Sequence, residues 1–344
     1  MISQNPRITV LRTVQALRQW RDPHRLAGRR VGLVPTMGAL HGGHLSLVRL
    51  AAAQNHHVVV SIFVNPAQFG AQEDLSSYPR TWDADMAALE TLDRELSSGD
   101  GGRAMGKVSA VFAPPTEEMY PEGFPGQEVN SKGSFVNITP LGEVLEGRSR
   151  PTFFRGVATV CMKLFNAVQP EAVYFGQKDA QQTVLIRKLV RDFLLPIDVV
   201  VGPTMREEDG MAASSRNVYL GARRRRGARV LSQALAASSA KYDVGVNSRA
   251  DILDAANSVL DAYLVAEKSK LPSERVKFEL DYLSLADPDK MEEVQDVDSS
   301  KGAIISGAIR MLPVEEAQPG EDLGHGGGPP VRLIDNMLLL PKTR

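Results

Sequence analysis

Cysteine is almost absent. A single thiol, Cys161, stands in 344 residues, so no disulfide can close within the chain, and a reducing compartment fits, with the cytoplasm expected. An excess of one charge is missing too. Forty Lys and Arg face 41 Asp and Glu, which leaves no global field for nucleic acid or an anionic membrane, and neither is expected as a partner. No apolar run approaches the roughly 20 residues of a membrane span. HExxH is absent, and six His with one Cys make a poor zinc ligand supply. No internal repeat is visible. What remains is a chain long enough for two domains, with 43% apolar residues to fill their cores.

Arginine is dense at the start: Arg7, Arg12, Arg18 and Arg21 precede the first acid, Asp22. Such a stretch has the look of an organellar presequence, but serine is sparse. ITVLRTVQALRQWR reads instead as a strand at 8–11 and a helix, capped by Thr13, to about residue 20.

Strand and helix patterns then alternate. Residues 31–35 form a short buried strand that breaks at Pro35. After a Gly-rich turn, a helix starts at about His44 with Leu45, Val48 and Ala52 on one face. The β-branched run at 56–66 suits a strand buried on both faces, hence a parallel sheet. A helix at 81–96, a strand at 108–113, an edge strand at 135–138, a loop at 147–154 and a helix at 156–168 follow. A strand at 172–175, a helix at 180–193 and a strand at 197–201 complete a doubly wound α/β half. Beyond a hinge at 203–210, helices near 222–240 and 248–266 and strands at 277–286, 303–312 and 331–334 make a smaller α+β domain. The predicted domains are 1–204 and 205–344. Segment 97–107 reads as a surface insert, 313–330 as a disordered loop containing an inert His325, and Arg223–Arg226 as a solvated face.

The chemistry concentrates at 31–48, VGLVPTMGALHGGHLSLV. A helix N-terminus offers unpaired N–H groups and partial positive charge, which suits an anion. Gly38, Gly42 and Gly43 allow close backbone approach, and His41 and His44 add imidazole donors. Gln68 lies in the loop after the next strand, where ligands sit in open α/β sheets. Arg148, Arg150 and Arg155 are surface charges or anion contacts. After Gly176, Lys178 can reach phosphate, and Asp179 can cap the next helix or bind a ribose hydroxyl. Ser214, Ser215 and Arg216 join two hydroxyls to a guanidinium, a phosphate-binding set. Cys161 reads as core packing.

The HxGH turn resembles the nucleotide signature of class I adenylate-forming enzymes. PTMGALHGGHLSLV resembles, more narrowly, the pantoate–β-alanine ligase family. Further blocks fall in that family's order: SIFVNPAQF, YPRT, LEGRSRP, RGVATVCMKLFN, FGQKDAQQ, PTMREEDGMAASSRN and LIDN. The chain departs from the pattern at Phe153, where His is common, at Glu208, where Pro is common, and at Ala213, where Leu or Met is usual.

The resemblance implies a Rossmann-like doubly wound sheet with the HxGH turn, and a second phosphate loop at 214–216. It implies ATP-dependent joining of pantoate and β-alanine through a pantoyl-adenylate, with Mg²⁺ and a homodimer. His44, His41, Lys178 and Arg216 are the expected catalytic residues. ATP is expected on Pro35, Thr36, Met37, Gly38, His41, Gly43, His44, Gly176, Lys178, Asp179, Met205, Ala213, Ser214, Ser215 and Arg216. Gln68, Gln182 and Met37 are expected to bind pantoate and β-alanine, with Phe69, Val160 and Cys161 completing an apolar wall. No residue is assigned to the metal. Two other readings use the same turn: a nucleotidyltransferase acting on a phosphorylated acceptor, and a non-catalytic nucleotide-binding protein.

Overall fold

The computed structural model describes residues 8–70, 75–76, 78–98, 105–124, 126, 128 and 130–342. They fall into two compact units, Met1–Gln177 with Gln181–Pro203, and Lys178–Ala180 with Thr204–Arg344.

The first unit is a six-stranded parallel sheet: β1 (Thr9–Leu11), β2 (Val31–Thr36), β3 (His57–Ile62), β4 (Lys107–Phe112), β5 (Ala172–Gly176) and β6 (Asp198–Gly202), in the order β1-β4-β3-β2-β5-β6. Its helices are α1 (Val14–Leu26), α2 (Gly42–Gln54), α3 (Trp82–Ser98), α4 (Thr116–Met119), α5 (Glu146–Ser149), α6 (Phe153–Val168) and α7 (Ala180–Asp192). Val31, Leu33, Val34, Val58, Val59 and Val60 are fully buried, as runs covered on both faces require.

Several boundaries differ from those predicted. β2 does not stop at Pro35 but runs to Thr36. Its pairing with β5 ends at Leu33, so the missing proline N–H deprives that side of no ladder bond. α1 continues past Trp20 and through Pro23 to Leu26. Arg21, buried to 2% exposure, ties it down through the Gln169 carbonyl and Glu171. No strand forms at 135–138, because the Val136 N–H goes to Thr159 Oγ1, 3.0 Å away on α6. α5 and the first turn of α6 occupy residues predicted as loop. In α2 the buried face is Leu47, Val48, Ala51 and Ala52, with Leu45 only half-buried. Of the insert at 97–107, residues 99–104 lie outside the described residues.

At the opposite edge of β3, away from its carboxyl end, His57 lies under His24, ring centroids 4.0 Å apart, with Trp20 edge-on at 6.2 Å. Its Nδ1 shares a 2.7 Å hydrogen bond with Ser109 Oγ, and its Nε2 is buried without a partner. Burial first, then the charges of His24, Lys107, Arg29 and His56, push this imidazole down to about 4. An unfolded histidine titrates near 6.5. The unfolded chain therefore takes up the proton first as pH falls. This contribution to stability is whole above about pH 6.5 and is lost toward pH 4, on the order of 3 kcal/mol at most. Urea unfolding of the wild type should weaken across that window more steeply than that of His57→Phe. Equal slopes would refute the role given to His57.

The second unit holds α8 (Gly221–Ala228), α9 (Val230–Asp243), α10 (Arg249–Lys268) and an antiparallel sheet of β7 (Phe278–Ala286), β8 (Ala303–Met311) and β9 (Val331–Leu339). The helix predicted near 222–240 divides at Arg229, and β9 runs five residues beyond the expected Ile334, to Leu339. The arginine run and the loop at 313–330 depart further from the prediction. Arg223 and Arg224 are buried, at 5% and 1% exposure. Arg223 donates to the Glu316 carbonyl and pairs with Glu321. Arg224 donates to the carbonyls of Leu220, Pro329, Leu323 and Tyr219. Five fixed N–H donors suit backbone oxygens that a Gly- and Pro-rich loop cannot pair for itself. The loop is thus pinned, and only Arg226 of the run is exposed. His325 stands edge-on to Tyr219 at 5.5 Å.

Candidate functional site

The chain passes from β2 to β3 and β4 on one side, then returns to β5 and β6 on the other. The strand order therefore reverses between β2 and β5, and ligands of such sheets settle outside the carboxyl ends at that reversal. β2 ends there in Pro35 and Thr36, and β5 in Gly176.

The turn leaving β2 is tightly held. Thr36 Oγ1 donates to the Ser61 carbonyl (2.7 Å) and accepts from Gly38 N (3.2 Å). Gly38 has φ +82°, and a Cβ there would meet Asp85 Oδ2 at 3.0 Å. Ala39 follows at φ +49°, a region that disfavours side chains. Asp85 of α3 compensates. Its carboxylate accepts from Ala39 N (3.0 Å), Leu40 N (2.8 Å) and Thr81 Oγ1 (3.0 Å), and it is buried. Sequence reasoning missed Asp85. An acid in the first turn of a helix reads as a partner of the helix dipole, and nothing local says that it grips a turn 46 residues away.

His41 is the N-cap of α2 and His44 its third residue, ring centroids 4.1 Å apart. His41 Nδ1 accepts from Gly43 N (3.1 Å), and His44 Nδ1 accepts from His41 N (3.4 Å). The imidazoles thus use two of the helix-end N–H groups that the sequence left open for an anion. An accepting Nδ1 in a neutral ring places the proton on Nε2. Each histidine consequently carries an Nε2–H donor without needing to be protonated.

Beyond β3, Pro66–Gln68 form one turn of 3₁₀ helix capped by Asn65. Gln68 Nε2 donates to Met37 Sδ at 3.0 Å, bringing these two predicted residues together. Of the expected wall, Phe69, Val160 and Cys161 are buried, and burial pushes the Cys161 thiol up to about 12; a neutral thiol of this kind packs rather than attacks. Gln182 is half-buried in the first turn of α7. Its neighbour Gln181 is structural: it accepts from Glu146 N and donates to the carbonyls of Leu141 and Val144. Arg150 lies over the Phe153 ring at 3.8 Å and donates to the Gln68 carbonyl at 3.1 Å. Phe153, the departure from the usual His, is thus a platform for a guanidinium.

In the second unit, Met205 and Ala213 face each other across a small hairpin turning at Gly210, with Ala213 N donating to the Met205 carbonyl (2.9 Å). Met205 is 42% exposed and Ala213 is buried. Ser214 follows as the cap of the 3₁₀ helix Ser215–Tyr219, its Oγ accepting from Arg216 N (3.3 Å). Glu208, the other departure in this hairpin, is exposed. β9 anchors the unit's polar residues. Asp335 accepts from Nη1 and Nη2 of Arg206 (2.7 and 3.1 Å), and Asn336 Nδ2 donates to the Lys178 carbonyl (2.8 Å). The LIDN block, silent in sequence, therefore holds both the hairpin and the lysine. Lys178 Nζ lies 3.8 Å from Asp179, which sits in the 3₁₀ turn Gln177–Asp179 running straight into α7 rather than at an extended cap. Among the described residues no three His, Cys, Asp or Glu side chains gather as a metal cage, and no helix is long and apolar enough to cross a membrane.

The family described as Pantoate-beta-alanine ligase matches residues 9–338. A pantothenate synthetase of Roseiflexus castenholzii is 44% identical over 301 residues, 88% of this chain and 95% of the relative. A crystal structure of pantothenate synthetase from Thermus thermophilus superposes with a TM-score of 0.75 at 38% identity, covering 97% of this chain and all of that one. A pantoate-beta-alanine ligase from Francisella tularensis, complexed with beta-gamma ATP and beta-alanine, superposes with a TM-score of 0.64 at 26% identity, covering 96% and 98%.

Proposed function

The chain belongs to the pantoate–β-alanine ligase family, and from that premise we propose that it joins pantoate to β-alanine at the expense of ATP, releasing AMP and pyrophosphate. The observation that carries the reading is the histidine-capped turn at the carboxyl end of β2, beside the Met37–Gln68 pair. The pantoate carboxylate attacks the α-phosphorus of ATP, and the bond to the pyrophosphate oxygen breaks. The amine of β-alanine then adds to the acyl carbon of the mixed anhydride, loses a proton and expels AMP.

A carboxylate is already a nucleophile at neutral pH, so no activated Ser or Cys is needed. The first step instead requires charge stabilisation and in-line placement. His41 and His44 supply Nε2–H donors to the phosphates, and Pro35, Thr36, Met37, Gly38 and Gly43 supply the turn that admits the nucleotide. Lys178, Ser214, Ser215 and Arg216 supply further phosphate donors, with Gly176, Asp179, Met205 and Ala213 against the nucleoside. Gln68, Gln182 and Met37 take pantoate and β-alanine, Gln68 and Gln182 by their amides. Mg²⁺ would travel with the triphosphate and offset its charge. Among the described residues no three His, Cys, Asp or Glu side chains gather around a metal position, so the phosphates themselves would supply most of its ligands. We place the enzyme in the cytoplasm as a homodimer, on family grounds.

Pantoate-dependent exchange of labelled pyrophosphate into ATP, without β-alanine, tests this reading. Exchange is expected. Its absence, with AMP transferred instead to a phosphorylated acceptor, would favour a nucleotidyltransferase.

A further inference from the structure

Behind Gln68 lies a buried chain of hydrogen bonds that the reaction as described does not use. Asn65 is 1% exposed and Tyr120 is 5% exposed. Asn65 Oδ1 accepts from Tyr120 Oη at 2.6 Å and from Ala67 N at 3.3 Å, while Asn65 Nδ2 donates to the Gly156 carbonyl at 3.2 Å and to Gln68 Oε1 at 3.1 Å. The amide of Asn65 has only one workable orientation here. The Ala67 N–H can only donate and the Gly156 carbonyl can only accept, so the oxygen must face the first and the nitrogen the second. The remaining hydrogen of Asn65 Nδ2 then requires an acceptor, and that requirement turns the oxygen of Gln68 inward.

The consequence falls on the other end of Gln68. With Oε1 occupied, the group left to face Met37 is Nε2, a pure donor. We propose that Tyr120 is a positioning residue that, through Asn65, holds Gln68 with its NH₂ outward, so that the site selects an acid by its acceptor oxygens. This deepens the functional reading above and rests on its placement of pantoate at Gln68.

Tyr120 is well suited to the task. Lys163 lies over its ring, Nζ 4.2 Å from the centroid, and donates to the Met119 carbonyl at 2.5 Å, fixing the tyrosine from the far side. Burial, with the Cys161 sulfur adding to it, pushes the phenol well above the ordinary tyrosine range, so the hydroxyl always keeps the hydrogen that it donates. Gly156 permits the close approach of α6 on which the arrangement depends. A Cβ there would come within 2.2 Å of the Ala67 carbonyl oxygen.

Tyr120→Phe removes one oxygen and keeps the ring under Lys163. The experiment measures KM for pantoate, KM for ATP and kcat in wild type, Tyr120→Phe, Gln68→Ala and the double variant, with melting curves as a check on folding. Tyr120→Phe is expected to raise KM for pantoate about 3- to 10-fold, the scale of one loosened hydrogen bond, and to leave KM for ATP within about twofold. On the Gln68→Ala background the same change should alter KM for pantoate by less than about twofold, since nothing remains to be oriented. An undiminished effect on that background, an equal rise in KM for ATP, or no effect in the single variant would each overturn the proposal. Should the single variant prove too unstable to assay, Tyr120→Met and Lys163→Met serve in its place, with the same dependence on Gln68 expected. Failure of the functional reading looks different, because the wild type itself would then show no pantoate-dependent exchange.

Discussion

His44→Ala is expected to slow adenylate formation by about a hundredfold or more, the scale of one lost transition-state donor. The structure explains why the loss should fall on rate. His44 Nδ1 is already committed to His41 N, so the ring is held in one tautomer and its Nε2–H is in place before substrate arrives. Charge grows on the phosphate oxygens as pyrophosphate departs, and a donor already aligned costs no reorganisation at that moment. The variant also loses part of the cap of α2, a change of about 1 kcal/mol in stability, so melting must be followed alongside pre-steady-state pyrophosphate release. Near-wild-type release from a folded variant would refute the role. His44→Gln, which keeps an N–H donor on a flexible stem, should recover part of the loss.

Gln68→Ala is expected to weaken pantoate about 10- to 100-fold, the usual worth of a hydrogen bond to a charged group, while ATP is affected far less. The asymmetry follows from position. Gln68 sits on the 3₁₀ turn after β3 and touches Met37, whereas the histidine cap belongs to α2. Its side chain also relieves Asn65 of an otherwise unpaired hydrogen, so some stability should be lost as well. Separate saturation curves for the two substrates distinguish the cases. Equal losses for pantoate and ATP would make Gln68 a structural residue.

Much of the architecture was legible because it is written in local pattern. The runs around Val58–Val60 and Val31–Val34 suit buried strands, and their alternation with helices led to a parallel sheet. The histidine turn was legible because its glycines and imidazoles are contiguous. What sequence concealed depends on partners far along the chain. Arg223 and Arg224 looked like a solvated charge run, yet each also reaches acceptors 93 to 105 residues away in a Gly- and Pro-rich loop. Asp85 and Asp335 are acids whose roles exist only once the turns that they hold are brought to them. Gln181 and Gln182 are adjacent and chemically identical, and only packing assigns the first to a structural task. Segment 135–138 has the composition of a strand, but a side-chain hydroxyl claimed its N–H first.

In the proposed reaction the acid's own oxygen displaces pyrophosphate. Pantoate carrying ¹⁸O in both carboxylate positions tests it directly. Turnover with ATP and β-alanine should place one labelled oxygen in AMP and leave the other in the amide carbonyl of the product. Label appearing in pyrophosphate or inorganic phosphate, with AMP unlabelled, would contradict it.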